Sequence, residues 1–343
     1  MSNTVLEQLK GSLVQKKKSL TEWVNRASPQ ERRLRVGPAG ERQMADHLDS
    51  LNTAIKKAEE NTLGLCEVCD DYVEASRLEM DYTACVCIEH LTGAERTRLE
   101  NDLELSQKVQ RALLPHEVPH IRGLEIAAFS QPAHIVGGDY FDFVRMQEGS
   151  HALVIADVMG KGMAASLLMA SLQASLRIIA PEASEPRDIA ARLNQIFCNN
   201  IRLTKFVTLF IGRYNEKTGL LTYCNAGHNP PLLSRRDGSL EPLLPTAAAI
   251  GLVERAEFMQ RDLTLRDGDT LLMYTDGVVE SWNARKELFG QERLEAHLRE
   301  SSVLSSQALV QSLRSRLQTF TGSTACSDDT TIIGVRVTRG NPQ

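Results

Sequence analysis

Four aspartates, each inside a short motif, constrain this fold more than any other feature of the chain. They are Asp139 in VGGDYFDF, Asp157 in IADVMGKG, Asp276 in YTDGVVES and Asp328 in SDDTT. Three lie just before or after an apolar, strand-like run, and three have a glycine close by. Carboxylates on strand ends can be held to within about half an ångström, which metal geometry requires. Neighbouring glycines let backbone carbonyls approach a cation. The set therefore predicts a fold that gathers hard oxygens around divalent cations, and the simplest chemistry for it is metal-assisted hydrolysis. Any single Asp-Gly reads as a turn, as Asp237–Gly238 and Asp267–Gly268 do.

The apolar pattern around these motifs predicts strands at 124–130, 152–158, 206–214, 220–226, 270–275 and 331–337, with a hairpin around Asn215–Gly219. Helical spacing covers 162–180 and 187–203 together, then 291–300 and 305–320. Runs of strands separated by pairs of helices predict an α+β layered sandwich rather than βαβ alternation.

Upstream the character changes. Leu6, Leu9, Leu13, Leu20 and Trp23 follow helical spacing, interrupted by Lys16. Residues 27–40 break the pattern with Pro29, Gly37, Pro38 and Gly40, and Met44, Leu48, Leu51 and Ile55 resume it, which predicts an α-hairpin. Cys66, Cys69, Cys85 and Cys87 then fall within 22 residues. Cys66-x2-Cys69-x17-Cys87-x2-His90 has the spacing of a structural zinc site, with Cys85 open as a substitute for Cys87 or His90, or as a free thiol. Cys198, Cys224 and Cys326 read as small buried hydrophobes. Residues 92–114 form a charged helix before Pro115, with Leu99, Leu103, Leu105, Val109 and Leu113 as a seam for packing on its own domain or for pairing in a dimer.

A chain of 343 residues predicts more than one core. Its net charge of −5 implies no broad attraction to nucleic acid, so no direct DNA binding is expected. No apolar run suggests a membrane span and no signal peptide is read at the start, so a cytoplasmic protein without a membrane partner is expected.

GGDYFDF, ADVMGKG, NAGHNPPLL, YTDGVVES and DDTT, in that order, resemble the SpoIIE/RsbU-like branch of the PPM protein serine/threonine phosphatases. Leu113–Pro115 and Pro132–Ala133 also fit, and the likeness covers about 106–338. It implies two antiparallel sheets flanked by helices, an αββα sandwich, with a site for two Mn2+ or Mg2+ between the sheets. Asp157 would bridge the cations, with the Val158 carbonyl, Asp139, Asp276 and Asp328 as further ligands. Asp329 is expected not to be a direct ligand, and Asp142 to support the ligands from behind. The implied reaction removes phosphate from a phosphoserine or phosphothreonine protein, such as an anti-sigma antagonist, by attack of a metal-bridging hydroxide. His228 is read as fixing a turn or donating a proton, and Lys161 as meeting phosphate or solvent.

LGLCEVCDDYVEASRLE resembles the DksA/TraR-type zinc finger over about 40–91, with His90 where that family usually has a fourth cysteine. The hairpin tip, SPQERRLRVG, is arginine-rich where that family carries acids. The module is read as a sensor or docking element; the alternative is a non-enzymatic regulator that binds RNA polymerase. The expected organisation is an α-hairpin with zinc finger at 1–91, a linker helix at 92–116 that regulates and can dimerise, and a phosphatase domain at 117–343.

Overall fold

The computed structural model describes residues 3–26, 40–74, 77–78, 82–200, 205–301, 303–322 and 328–338. The chain divides into two compact units, Met1–Asp102 and Leu103–Gln343.

In the N-terminal unit α1 (Asn3–Arg26) and α2 (Gly40–Glu59) form the expected hairpin. Leu13 from one and Leu51, Ala54 and Ala58 from the other close over Leu63, with Leu20, Ile55 and Tyr82 at the margin. The side chains of Leu6, Leu9, Lys16, Trp23 and Met44, and the arginine-rich tip, lie outside the described residues. A second small core contains Cys66, Val73, Leu78, Ala84 and Cys87.

Helix α3 (Gly93–Leu113) starts on a capping box: the Glu95 N–H donates to Thr92 Oγ1 at 3.3 Å, and Glu95 Oε2 accepts the Thr92 N–H at 3.0 Å. The division between the units falls inside this helix rather than at its ends. Leu105 is 61% exposed and Val109 54%, while the buried side chain is Gln110.

The C-terminal unit is built on two five-stranded antiparallel sheets. One has the order β1 (Leu124–Gln131), β10 (Thr330–Val337), β9 (Thr270–Tyr274), β6 (Leu232–Ser234), β7 (Leu240–Pro242). The other runs β2 (Tyr140–Arg145), β3 (Ser150–Val158), β4 (Val207–Asn215), β5 (Leu220–Ala226), β8 (Arg261–Thr264). Side chains alternate between faces with period two. Phe141, Phe143, Leu153, Ile155 and Phe210 of the second sheet meet Leu271, Met273, Ile333 and Val335 of the first, filling the space between the sheets. The opposite face of β3, Ala152 to Val158 at every second residue, packs on α4 (Gly162–Ile179) and α5 (Pro186–Asn200). Leu272, Tyr274 and Ile332 pack outward on α7 (Gly290–Ser301) and α8 (Ser306–Thr321). Because both faces are covered, the middles of the central strands are continuous apolar runs, such as Ala152–Ala156 of β3. The result is the expected four-layer αββα sandwich.

Two expectations need correction. β2, β6, β7 and β8 were not foreseen: three of them span only three or four residues, and β2 carries Asp142 in its middle. Helix α4 is, among the described residues, long and apolar enough by length and composition to cross a membrane, whereas the sequence pattern predicts no such run. Ala165, Met169, Leu172, Leu176 and Ile179 bury one face of it in the sandwich.

Candidate metal centres

Side-chain parity carries the aspartates to one end of the sandwich. Asp157 continues the Leu153–Ile155 face of β3, which points between the sheets. β2 and β3 pair with Tyr140 opposite Ala156, so one step further places Asp139 opposite Asp157. In the other sheet Tyr274 pairs with Ile332, and the next step brings Thr275 to Thr331. Both hydroxyls donate to Asp139 Oδ2, at 2.8 Å from Thr275 and 2.7 Å from Thr331. Asp139 is therefore fastened across the gap between the sheets. Its other oxygen, Oδ1, is buried without a hydrogen-bond partner. A buried carboxylate oxygen left bare is costly and calls for a cation.

Asp276 opens the short helix α6 (Asp276–Val279) directly after β9, and Asp328 lies two residues before β10. Like charges facing each other on adjacent strands are destabilising. Burial first, and then Asp276 and Asp328, push Asp157 up to about 7. Burial and then Asp328 push Asp276 up to about 6. Asp139 is held well above the usual carboxylate range by burial and then by Asp157. The donors are all oxygen, the set that suits Mg2+ or Mn2+. Lys161 places its ammonium 2.7 Å from Asp328 Oδ2 and partly balances the excess charge.

Two residues that the sequence did not single out for this hold the loop carrying Asp139. Asp329 accepts the Ala133 N–H at 2.7 Å and the Gly138 N–H at 2.5 Å. Its carboxylate lies so close over Gly137 that a Cβ there would collide with it. From the other side Gln110 of α3 donates to the Gly137 carbonyl at 2.6 Å and accepts the Gly137 N–H at 3.0 Å. Asp329 is expected only not to be a direct ligand, and Gln110 lies on a charged helix without a motif of its own. Neither role has a local sequence signal. The Val158 carbonyl packs against Gly138, 2.8 Å from where a Cβ would stand.

Asp142 does not stand behind the aspartates. Its carboxylate takes two hydrogen bonds from Arg177 of α4, at 2.6 and 2.7 Å, and one from Tyr140 at 2.5 Å. It ties β2 to the helix layer. His228 is fully buried, with Nδ1 2.8 Å from Thr208 Oγ1, which lies 3.4 Å from the Asp157 carbonyl. Burial lowers its pKa to about 4, so it is a neutral, buried strut beside Thr208 rather than an acid facing solvent.

The cysteine cluster has a different geometry. Cys66, Cys69, Cys87 and His90 offer four ligand atoms that all lie within 4.8 Å of one another. The Cys69 and Cys87 sulfurs are 3.9 Å apart, close to the edge of a tetrahedron with about 2.3 Å zinc–sulfur bonds. His90 Nδ1 lies 3.0 Å from Cys87 Sγ and 3.9 Å from Cys66 Sγ. The Cys87 N–H, at 3.4 Å, leads in lowering the Cys66 thiol to about 6, toward the thiolate that zinc takes. Cys85 stands outside this group, beside Glu67, and burial raises its pKa. Of the scattered cysteines, Cys224 is buried and Cys198 half-buried, and Cys326 lies outside the described residues.

Residues 147–338 match the family model of stage II sporulation protein E, SpoIIE. Over 244 residues the chain is 30% identical to phosphoserine phosphatase RsbU of Bacillus subtilis, covering 69% of this chain and 70% of RsbU. It is also 30% identical to protein IcfG of Synechocystis over 56% of this chain, which spans about a third (35%) of IcfG. The SiaA-PP2C domain of Pseudomonas aeruginosa superposes with a TM-score of 0.61 over 71% of this chain and 99% of that domain, at 19% identity. The RsbU and RsbW domains of Rv1364c from Mycobacterium tuberculosis superpose with a TM-score of 0.56, at 28% identity, over 67% of this chain and 64% of theirs.

Proposed function

Because this chain belongs to the SpoIIE family of PPM-type, metal-dependent protein serine/threonine phosphatases, we propose that Asp139, Asp157, Asp276 and Asp328, with the Val158 carbonyl, hold its two Mn2+ or Mg2+ ions. The chain is a phosphoric monoester hydrolase acting on phosphoproteins. The observation that carries the ligand assignment is Asp139: fastened through Oδ2 to both sheets, bare at Oδ1, and directly across from Asp157. When bound, the cations lower the pKa of a coordinated water and neutralise the phosphoryl oxygens.

The protein's own contribution is placement. Thr275 and Thr331 fix the rotamer of Asp139. Asp329 and Gln110 fix the loop from which it projects. Burial raises the Cys224 thiol to about 11, which disfavours its thiolate, and direct attack by water is the route proposed. Hydrolysis of a phosphoserine peptide by the intact protein with Mn2+, abolished by Asp157→Asn, tests the assignment; unchanged turnover in that variant would remove it.

The N-terminal unit is proposed to hold one structural Zn2+ on Cys66, Cys69, Cys87 and His90, supported by the tetrahedral spacing of those atoms. With four protein ligands the site is closed and therefore structural rather than catalytic; the module is proposed to regulate the phosphatase through α3. The exposure of Leu105 and Val109 supports a homodimer through 92–114, and sedimentation of a Leu105→Asp, Val109→Asp variant tests it. The family likeness points to a phosphorylated anti-sigma antagonist as substrate. Clustered cysteines spaced as metal ligands rather than as disulfide partners support a reducing, cytoplasmic setting. The alternative, a polymerase-binding regulator without activity, gains no support from the matched family or relatives.

A further inference from the structure

Three chain segments lie side by side just beyond the ends of β3 and β4. The Met159 N–H donates to the Phe206 carbonyl at 3.0 Å, extending the ladder by one rung, and Val207 and Ile250 exchange hydrogen bonds of 2.9 and 2.8 Å. Gly160, Lys205 and Gly251 are consequently neighbours. A Cβ on residue 160 would stand 2.7 Å from Lys205 Nζ, and one on residue 251 would stand 3.5 Å from the Lys205 carbonyl. Gly160 has φ +105°, a conformation that glycine alone adopts easily, and the lysine ammonium fills the space a side chain would take.

On either side of this lysine, large apolar side chains face solvent: Met159 is 45% exposed and Leu252 58%, with Val253 beside Leu252. Apolar groups clustered around a cation mark a contact surface rather than scattered exposure. Among the described residues Lys205 has no acidic partner, whereas its neighbour across Gly160, Lys161, is paired with Asp328. This rim starts two residues after Asp157, so a protein that brings a phosphorylated side chain to the carboxylates must touch it. A second copy of the chain seated there would cover the carboxylates and shut the substrate out.

We infer that Met159, Lys205 and Leu252 form the docking surface for the phosphoprotein, with the Lys205 ammonium on an anionic oxygen of the phosphoserine and Met159 and Leu252 covering an apolar residue next to it. This rests on the phosphatase reading and specifies how its substrate is chosen.

The intact protein with Mn2+ is assayed on a phosphoserine peptide flanked by leucines, on the same peptide flanked by asparagines, and on p-nitrophenyl phosphate. The wild type should prefer the leucine-flanked peptide. Leu252→Asp should lower kcat/KM for that peptide, relative to p-nitrophenyl phosphate, roughly tenfold, the loss expected for one apolar contact. Lys205→Gln should raise KM more than it lowers kcat, and Lys205→Arg should restore it. Ratios within about twofold of wild type for both variants overturn the inference. So does Leu252→Asp that keeps the ratio but dissociates a dimer, which assigns the surface to a second copy. A wild type active on p-nitrophenyl phosphate without a leucine preference removes the docking surface alone; one inactive on all three esters removes the phosphatase reading and the inference with it.

Discussion

The two candidate metal centres of this chain are assembled in opposite ways. The cysteine–histidine group draws its four ligands from one stretch, 66–90, and packs their atoms within 4.8 Å. The aspartates come from four segments between residues 139 and 328, need both sheets to meet, and are not drawn into so tight a knot. A compact site of soft ligands makes its own local fold, whereas a dispersed site of hard ligands inherits its geometry from a domain already folded. The first stabilises its surroundings when filled. The second concentrates repulsion that the rest of the domain must withstand until cations arrive.

The sharpest way to break that contrast is Asp157→Asn. Mn2+-dependent hydrolysis should fall on the order of 10²–10³-fold or more, while zinc content, measured by atomic emission, stays at wild-type level. Loss of zinc in that variant would mean the centres are not separately built. The converse change, Cys66→Ser, should abolish stoichiometric zinc and open residues 62–91 to protease, while leaving hydrolysis of p-nitrophenyl phosphate at the aspartates largely intact. A smaller effect is expected from Gln110→Ala. It strands the buried N–H and C=O of Gly137 and should cost about 2–3 kcal/mol in urea unfolding of the C-terminal unit, with weaker Mn2+ activation. Unchanged Mn2+ activation would show that the loop keeps its place through Asp329 alone.

The mildest test is pH. His228 is held at about 4 in the fold, below the ordinary 6.5, so it is neutral in the native state and its burial favours folding fully above pH 6.5. As pH falls toward 4 the unfolded chain takes up the proton first, and stability is lost. In Mn2+-saturated protein this amounts to about 2 kcal/mol between pH 7 and 5, read from urea midpoints. His228→Gln should flatten that slope; an equal slope in the variant would assign the acid sensitivity elsewhere.

How far the sequence could be read follows the same contrast. The aspartates were legible because three of them close or open an apolar run, and the parity of β3 carries Asp157 to the same face as Leu153 and Ile155. The spacing of the cysteines left Cys85 and Cys87 as rivals; only the folded loop puts Cys87 with His90 and turns Cys85 toward Glu67. β6, β7 and β8 were missed because three or four residues are too few for a period to show, and they exist through the neighbours they pair with. Gln110, Asp329 and the Asp142–Arg177 pair act through partners that are 27, 191 and 35 positions away, and no local pattern announces such contacts.

The segment from Gln131 to Asp139 is gripped at Gly137 by Gln110 and at Ala133 and Gly138 by Asp329. Such a segment has no slack. One residue more or fewer would leave an anchor unreached and turn Asp139 away from Asp157. The hairpin at Asn215–Gly219, by contrast, carries two exposed residues at its turn and bends through a positive-φ glycine. Among related chains, insertions and deletions should collect in that hairpin and stay out of the eight residues that lead to Asp139.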